Sequence, residues 1–399
     1  SSSGRPCCDG SRRPWSTPNG ELRQTEAVSL PEPIIALSAD GPDLDPMVHG
    51  AKAVGLQQLL RFGLPVPPAL VVPVPSARAI AADRSAGRDE LRAAVDALGG
   101  TGDRLAVRSG AAVSLPGAFE TLLDVAPADV EAALVAVVES AMDPQAEMIA
   151  GALGHERVPE TAVVIQRQVD ATADGRSGSG AATSRHPVTG EERATGSFGW
   201  RVKGDAVMAA AVPVVPLDDL VDRVPEAHER LVVALEQLDA ALGSPVELEF
   251  TVERGELWCL QLRTFTVVEK HEQLPLGAVI VGEGQPASAG VGRGRVQVDI
   301  DDALDAIDRG EPVVLVLETS APSDMAAMVR SAAVVTVLGG RESHAAVVTR
   351  GAAVPAVLAV PGLQIAADHV MFGDVRVAVG DELVIDGTTG RIARPPTEG

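Results

Sequence analysis

The chain has 399 residues and carries 55 acidic against 33 basic side chains, a formal net charge of −22. That acidity is spread along the sequence and repels phosphate backbones, and aromatics at 2% with no tyrosine leave little to stack on bases, so no nucleic-acid partner is expected. Three cysteines, two of them adjacent at Cys7 and Cys8, make neither a disulfide framework nor a zinc site, and no apolar run suits a membrane span or a signal peptide. The expectation is a cytoplasmic α/β protein of about two or three domains, with cores of Ala, Val and Leu.

Residues 1–30, rich in Ser, Arg, Pro and Gly, read as a disordered arm. Order is expected from 33–37, followed by a helix that opens near Gly50, runs through Leu59, Leu60 and Phe62 and stops at Gly63. Lys52, at its start, is either a solvated surface lysine or a phosphate partner. The next strand, 105–110, places Arg108 near its end, and the loop 111–121 is built of small and hydroxyl residues. Such an arrangement can cradle a phosphate with backbone N–H groups and one fixed cation, although a plain surface loop fits equally well. No Walker A sequence occurs, which excludes the ordinary P-loop. A helix over 128–142, a strand over 162–169 and a proline-opened, glycine-closed helix over 225–242 follow.

The segment 246–252, then Gly255, then 258–263 alternates strictly and predicts a β-hairpin. A three-residue loop puts Leu248, Phe250, Val252, Trp258, Leu260 and Leu262 on one face and Glu247, Glu249, Gln261 and Arg263 on the other. Two carboxylates, an amide and an arginine suit Mg²⁺ carrying a polyphosphate; a solvated face of cross-strand ion pairs is the alternative. The glycines of 282–292 lead into an expected strand at 296–300 and so fail the dinucleotide pattern.

Strands at 313–320, 334–338 and 383–386 and a helix at 323–330 are expected around the stretch Gly339-Gly340-Arg341-Glu342-Ser343-His344-Ala345-Ala346-Val347-Val348-Thr349-Arg350-Gly351. The glycine pair marks a turn, Ser343 is a good N-cap for a helix over 345–349, and Gly351 suits its end. His344 then lies beside free N–H groups and the positive end of the helix dipole, where a phosphoryl group on the imidazole meets favourable charge, with Arg341 in reach. On spacing alone a histidine capping a short helix fits as well.

These segments together resemble the phosphoenolpyruvate-utilising enzymes, in particular pyruvate phosphate dikinase and phosphoenolpyruvate synthase. The resemblance rests first on Gly339, Gly340, Ser343, His344, Ala345, Ala346, Val347, Val348, Arg350, Gly351 and Pro355, which match the phosphohistidine signature. Lys52 ahead of 64–68, the run 107–121, the hairpin near 177–191 and the pair 246–252 and 258–263 are similar to the family's nucleotide-binding segments. Several positions depart from that pattern: Ala51 and Ala53 mildly, where glycine is usual, and Glu247 conservatively, where an aspartate is; further, Glu342 stands where a small residue is usual, His186 where an aspartate is, and Ser197 where the family has a glutamate.

The resemblance implies an ATP-grasp domain over 31–263, a hinge over 264–277 and a swivelling β/β/α phosphohistidine domain over 278–395. It makes Lys52, Arg108, Glu247, Glu249, Gln261 and Arg263 ligands of ATP, Glu249 and Gln261 ligands of Mg²⁺, and His344 the phosphoryl carrier. The implied reaction moves the β-phosphoryl of ATP to His344, leaving AMP, and passes it to a small-molecule acceptor or a separate acceptor protein. No counterpart of the family's C-terminal pyruvate barrel is expected here. A phosphotransferase acting on a specialised small molecule, like the rifampin phosphotransferases, and a non-catalytic regulator or carrier are the alternatives.

Overall fold

The computed structural model describes residues 29–98, 104–113, 115, 119–209, 212–267 and 273–396. Most of the expected arm, residues 114 and 116–118 of the cradle loop, and 268–272 of the hinge lie outside these. Leu30, at the end of that arm, packs against a core cluster.

Residues 35–264 build two five-stranded antiparallel sheets. The first has the order Ile35–Ala36, Ala69–Val72, Thr161–Arg167, Leu105–Ala111, Thr121–Val125. Helices Val74–Ala82 and Val130–Glu139 cover one of its faces, burying Leu70, Val72, Val107, Val163 and Ile165 with Ala77 and Leu134. The second runs Glu256–Thr264, Val246–Glu253, Gly178–Thr183, Thr195–Trp200, Val215–Pro216. Against it lies the helix Pro225–Leu242, whose Leu231, Leu235 and Leu238 meet Leu248, Phe250 and Phe198. Proline in its first turn and Gly243 at φ 62° after its last residue give it the expected limits.

The helix Ala51–Arg61 joins these two sheets. Gly50 precedes it at φ 81°, and a Cβ there would fall 1.8 Å from the Gly110 carbonyl oxygen. Only glycine permits both that dihedral and that approach. The contact brings the start of the helix, with Lys52, against the strand that carries Arg108.

Residues 279–394 form an eight-stranded mixed sheet and a three-stranded one. The parallel strands Val291–Gln297, Val313–Leu317, Ala333–Thr336 and Ala356–Leu358 lie together; the last three are buried on both faces, which is why they read as unbroken apolar runs, whereas Arg293 and Arg295 of the first are exposed. Alternate residues divide between two cores. Leu315 and Leu317 pack under helices Ile300–Asp308, Met325–Arg330 and His344–Gly351, whereas Val314 and Val316 meet Val370, Phe372 and Val377 of the small sheet. A helix from the first half, Pro144–Ala152, inserts Ala146, Ile149 and Ala150 into the helical side of that core.

Several local expectations change. The strand expected at 296–300 ends at Gln297, because Asp299 accepts from the N–H groups of Asp301 and Asp302 and caps a helix instead. The histidine helix runs through Gly351, and Ala353 takes the left-handed conformation at φ 54°. The helix expected at 128–142 is Val130–Glu139 flanked by short 3₁₀ turns, and that expected at 323–330 begins with the 3₁₀ turn Pro322–Asp324 before Met325–Arg330. Thr264, taken as the hinge start, still belongs to a strand, and Phe265 N–H donates to Pro245 O at 3.0 Å. Among the described residues no helix is long and apolar enough to cross a membrane.

Gly50→Ala is expected to cost about 2–4 kcal/mol in denaturant unfolding, since backbone strain and a clash with a carbonyl act together. An unfolding midpoint equal to wild type would show that the approach to Gly110 is not required.

Candidate active site

The hairpin shapes the site. Arg254 and Gly255, at φ 52° and 89°, form a two-residue turn where a three-residue loop was expected. From that turn Val252 faces Leu257 and Phe250 faces Cys259, so Leu257 and Cys259 lie in the core while Trp258 pairs with Thr251 on the other face. A bulge at Leu260 then changes the phase, and Glu249 faces Gln261, Leu248 faces Leu262 and Glu247 faces Arg263. One residue inserted by a bulge has the same effect on alternation as one added to the loop. The four polar residues therefore share the expected face, while Trp258 and Leu260 do not sit with the core set.

Arg108 reaches this face from the first sheet. Its Nη1 donates to the Leu260 carbonyl at 2.8 Å, and its Nη2 donates to Glu249 Oε2 at 3.0 Å and Gln261 Oε1 at 2.9 Å. Arg263 pairs with the other Glu249 oxygen at 3.0 Å and with Glu247 Oε1 at 3.2 Å. Lys52 makes no hydrogen bond or ion pair with a described residue. Lys52, Arg108, Glu249, Gln261, Arg263 and His344 line one cavity of about 1340 Å³. Glu247 does not line it: this carboxylate is 4% exposed and lies between Arg263 and Arg350, the latter at 3.2 Å.

The electrostatics favour an anionic ligand. Burial opposes ionisation of Glu249, yet Arg263, Arg108 and Lys52 hold its carboxyl down at about 2. Burial, assisted by Arg108 and Arg263, pushes Lys52 well below the ordinary lysine range, against the pull of Glu249. Glu249 alone answers the Arg108 guanidinium and the Lys52 amine and shares Arg263 with Glu247, so a polyphosphate supplies charge that the site lacks. Glu249 and Gln261 place oxygen donors side by side across the strands. Arg108 and Arg263 take one lone pair from each carboxylate oxygen and leave another, so the donor set fits a divalent cation that a phosphate accompanies.

His344 opens the helix His344–Gly351, whose N-cap Ser343 accepts from Ala346 N–H. Its Nδ1 is buried without a partner, and the residue lines the cavity. Burial pushes the imidazole pKa down, with Arg263 adding to that effect and Glu249 and Asp205 opposing it. At neutral pH the ring is uncharged and its free nitrogen is a nucleophile. Arg341 lies outside the cavity lining, and its backbone carbonyl accepts from Arg350. His186 is likewise away from the cavity and holds a turn, its Nδ1 meeting the N–H groups of Val188 and Thr189.

Among the wall residues that escaped the sequence reading are Ser179, Lys203, Asp205 and Thr251. Thr251 was legible, since it lies two residues beyond Glu249 on the same face, and Ser179 contacts its hydroxyl at 2.9 Å. Lys203, paired with Asp124, and Asp205 follow a strand end without any periodic signal.

Two family models match separate stretches of the chain. Residues 86–214 match the family described as "Pyruvate phosphate dikinase, AMP/ATP-binding domain" and residues 309–390 match "PEP-utilising enzyme, mobile domain". The chloroplastic pyruvate, phosphate dikinase of Flaveria trinervia is 30% identical over 271 residues, covering 58% of this chain and 28% of that protein. The enzyme of Clostridium symbiosum is 27% identical over 277 residues (60% and 32%), and that of Rhizobium meliloti (strain 1021) is 28% identical over 311 (66% and 35%). The chain thus matches about a third of the length of these relatives. Among solved structures, a D-alanine–D-alanine ligase from Bacillus anthracis complexed with ATP is 13% identical, with a TM-score of 0.30, covering 53% of this chain and 52% of that one. The Helicobacter pylori ligase is 12% identical at a TM-score of 0.30, covering 54% of each chain.

Arg263→Ala removes one of the three cations and frees Glu249 to repel phosphate. ATP affinity, measured by calorimetry, is expected to fall roughly 10- to 100-fold, and the unfolding midpoint to fall with it, because Glu247 and Glu249 each lose a partly buried partner. An unaltered Kd would take Arg263 out of the ligand set.

Proposed function

Because the chain carries a pyruvate phosphate dikinase AMP/ATP-binding domain and a PEP-utilising mobile domain in one ATP-grasp-containing α/β molecule, we propose that it is a dikinase-type phosphotransferase in which His344 takes the β-phosphoryl of ATP. The observation that carries this reading is the position of His344: it lines the cavity that Lys52, Arg108, Glu249, Gln261 and Arg263 also line. A nucleophile and a polyphosphate site from opposite ends of the chain share one space.

Lys52, Arg108 and Arg263 hold the β- and γ-phosphates and neutralise charge as it shifts toward the oxygen between the α- and β-phosphorus atoms. Mg²⁺, held through Glu249 and Gln261, supplies further neutralisation of the polyphosphate. His344 Nε2 donates its lone pair to the β-phosphorus, and the bond from that phosphorus to the oxygen it shares with the α-phosphorus breaks. AMP leaves with that oxygen and the electron pair. Phosphate or water then takes the γ-phosphoryl from the histidine, which keeps the β-phosphoryl for an acceptor. That acceptor, a small molecule or another protein, meets His344 once the segment that carries it has left the cavity by a rigid-body motion.

With Mg²⁺, phosphate and ATP labelled at the β-position, the protein is expected to gain label that is stable in base, lost in acid and mapped to His344. His344→Ala abolishes incorporation and spares ATP binding. A wild-type protein that binds ATP and stays unlabelled would overturn the reading in favour of a carrier or regulator. The rate of labelling is expected to rise with pH through a midpoint below 6.5, because the neutral imidazole reacts and its pKa is lowered by burial. A midpoint above that value would place the reacting ring outside the buried position seen here.

A further inference from the structure

Ser197 and Glu342 are 145 residues apart, and each departs from the pattern the chain resembles. They meet in space: Ser197 Oγ donates to Glu342 Oε2 at 2.6 Å. Ser197 lies on the strand Thr195–Trp200 of the nucleotide-binding half, and Glu342 stands two residues before His344 in the other half. We propose that this hydrogen bond is a positioning clasp that fixes how His344 enters the cavity. The proposal rests on the phosphohistidine reading for what His344 then does; the contact itself does not.

Glu342 is 4% exposed, a costly place for a carboxyl unless a partner requires it. Burial raises its pKa, while Ser197, Arg350 and Arg341 favour the charged form and Glu247 opposes it. Gly340 leaves the clasp its room, because a Cβ there would come 3.2 Å from Ser197 Oγ. Helix Pro144–Ala152 also joins the halves, but apolar contact has no preferred direction and tolerates sliding. A short hydrogen bond does not. Because Glu342 precedes the N-cap Ser343 and His344 follows it, a shift at the clasp is passed on through a rigid helix start. Neither Ser197 nor Glu342 lines the cavity, so their role is positional rather than ligand binding.

The test uses the full chain with Cys7 and Cys8 replaced by serine and spin labels on Glu229→Cys and Asp305→Cys, exposed positions on helices of the two halves. Cys259 is buried with its thiol pushed up to about 12 and stays unlabelled. Ser197→Ala and Glu342→Ala are expected to lower the ratio of docked to undocked distances by roughly ten-fold, the worth of a buried hydrogen bond to a carboxyl, and Glu342→Gln to keep it, since an amide oxygen still accepts from Ser197. In parallel, transfer from ATP to His344 falls by about the same factor in both alanine variants while ATP Kd stays at the wild-type value, and Glu342→Gln restores the rate. Alanine variants with wild-type distances overturn the clasp, as does a glutamine variant that behaves like alanine. Distances that respond in a wild-type protein that never labels would instead overturn the phosphotransferase reading and leave the clasp standing.

Discussion

The site depends on one guanidinium held away from water. Arg108 binds three acceptors on two strands of the other sheet, so it fixes the distance between the sheets as well as the position of its own charge. A charge so buried is tolerable only if its donors are matched, and each partner must in turn be neutralised. That requirement generates a series: Gln261, Arg108, Glu249, Arg263, Glu247, Arg350, with cations and carboxylates alternating after the amide. It begins at the cavity and ends on the histidine helix. A phosphate entering the cavity competes with Glu249 for Arg108 and Arg263, and the remaining pairs must readjust. Glu247, which does not reach the cavity, connects those events to the other half of the molecule.

Much of this was legible because alternation survives compensation. The hairpin face was read correctly through a loop of the wrong length, since the bulge at Leu260 restored the phase that a two-residue turn had lost. The error is visible only from the turn to the bulge, at Leu257, Trp258, Cys259 and Leu260. His344 as an N1 residue behind a Ser343 cap followed from local chemistry alone, whereas its place beside Lys52 depends on tertiary packing. The helix Ile300–Asp308 was missed for the opposite reason: Asp299 is a strong cap, but the apolar residues before it continued a strand pattern across it. Glu342 and Ser197 stood out as individual departures, and no sequence argument joined them. Contacts over that separation carry no periodic signal.

The two halves meet through unlike surfaces. Near His344 the contact is polar and directional, with Ser197 on Glu342, Glu247 on Arg350 and the Thr319 hydroxyl donating to Ala209 O at 2.7 Å. On the far side it is apolar, where helix Pro144–Ala152 sits among Met325, Met328 and Val329. The polar groups define one orientation. The apolar helix supplies adhesion that outlasts the loss of any single pair.

That apolar helix gives the separation of the halves a thermal signature. Under the proposed swivel, with His344 out of the cavity and the first half staying behind, Ala146, Ile149 and Ala150 would exchange a protein core for water. Exposure of apolar surface raises the heat capacity, and the attraction that opposes it weakens on cooling. An equilibrium between the two proposed arrangements would therefore be curved in temperature, with cold favouring the open one.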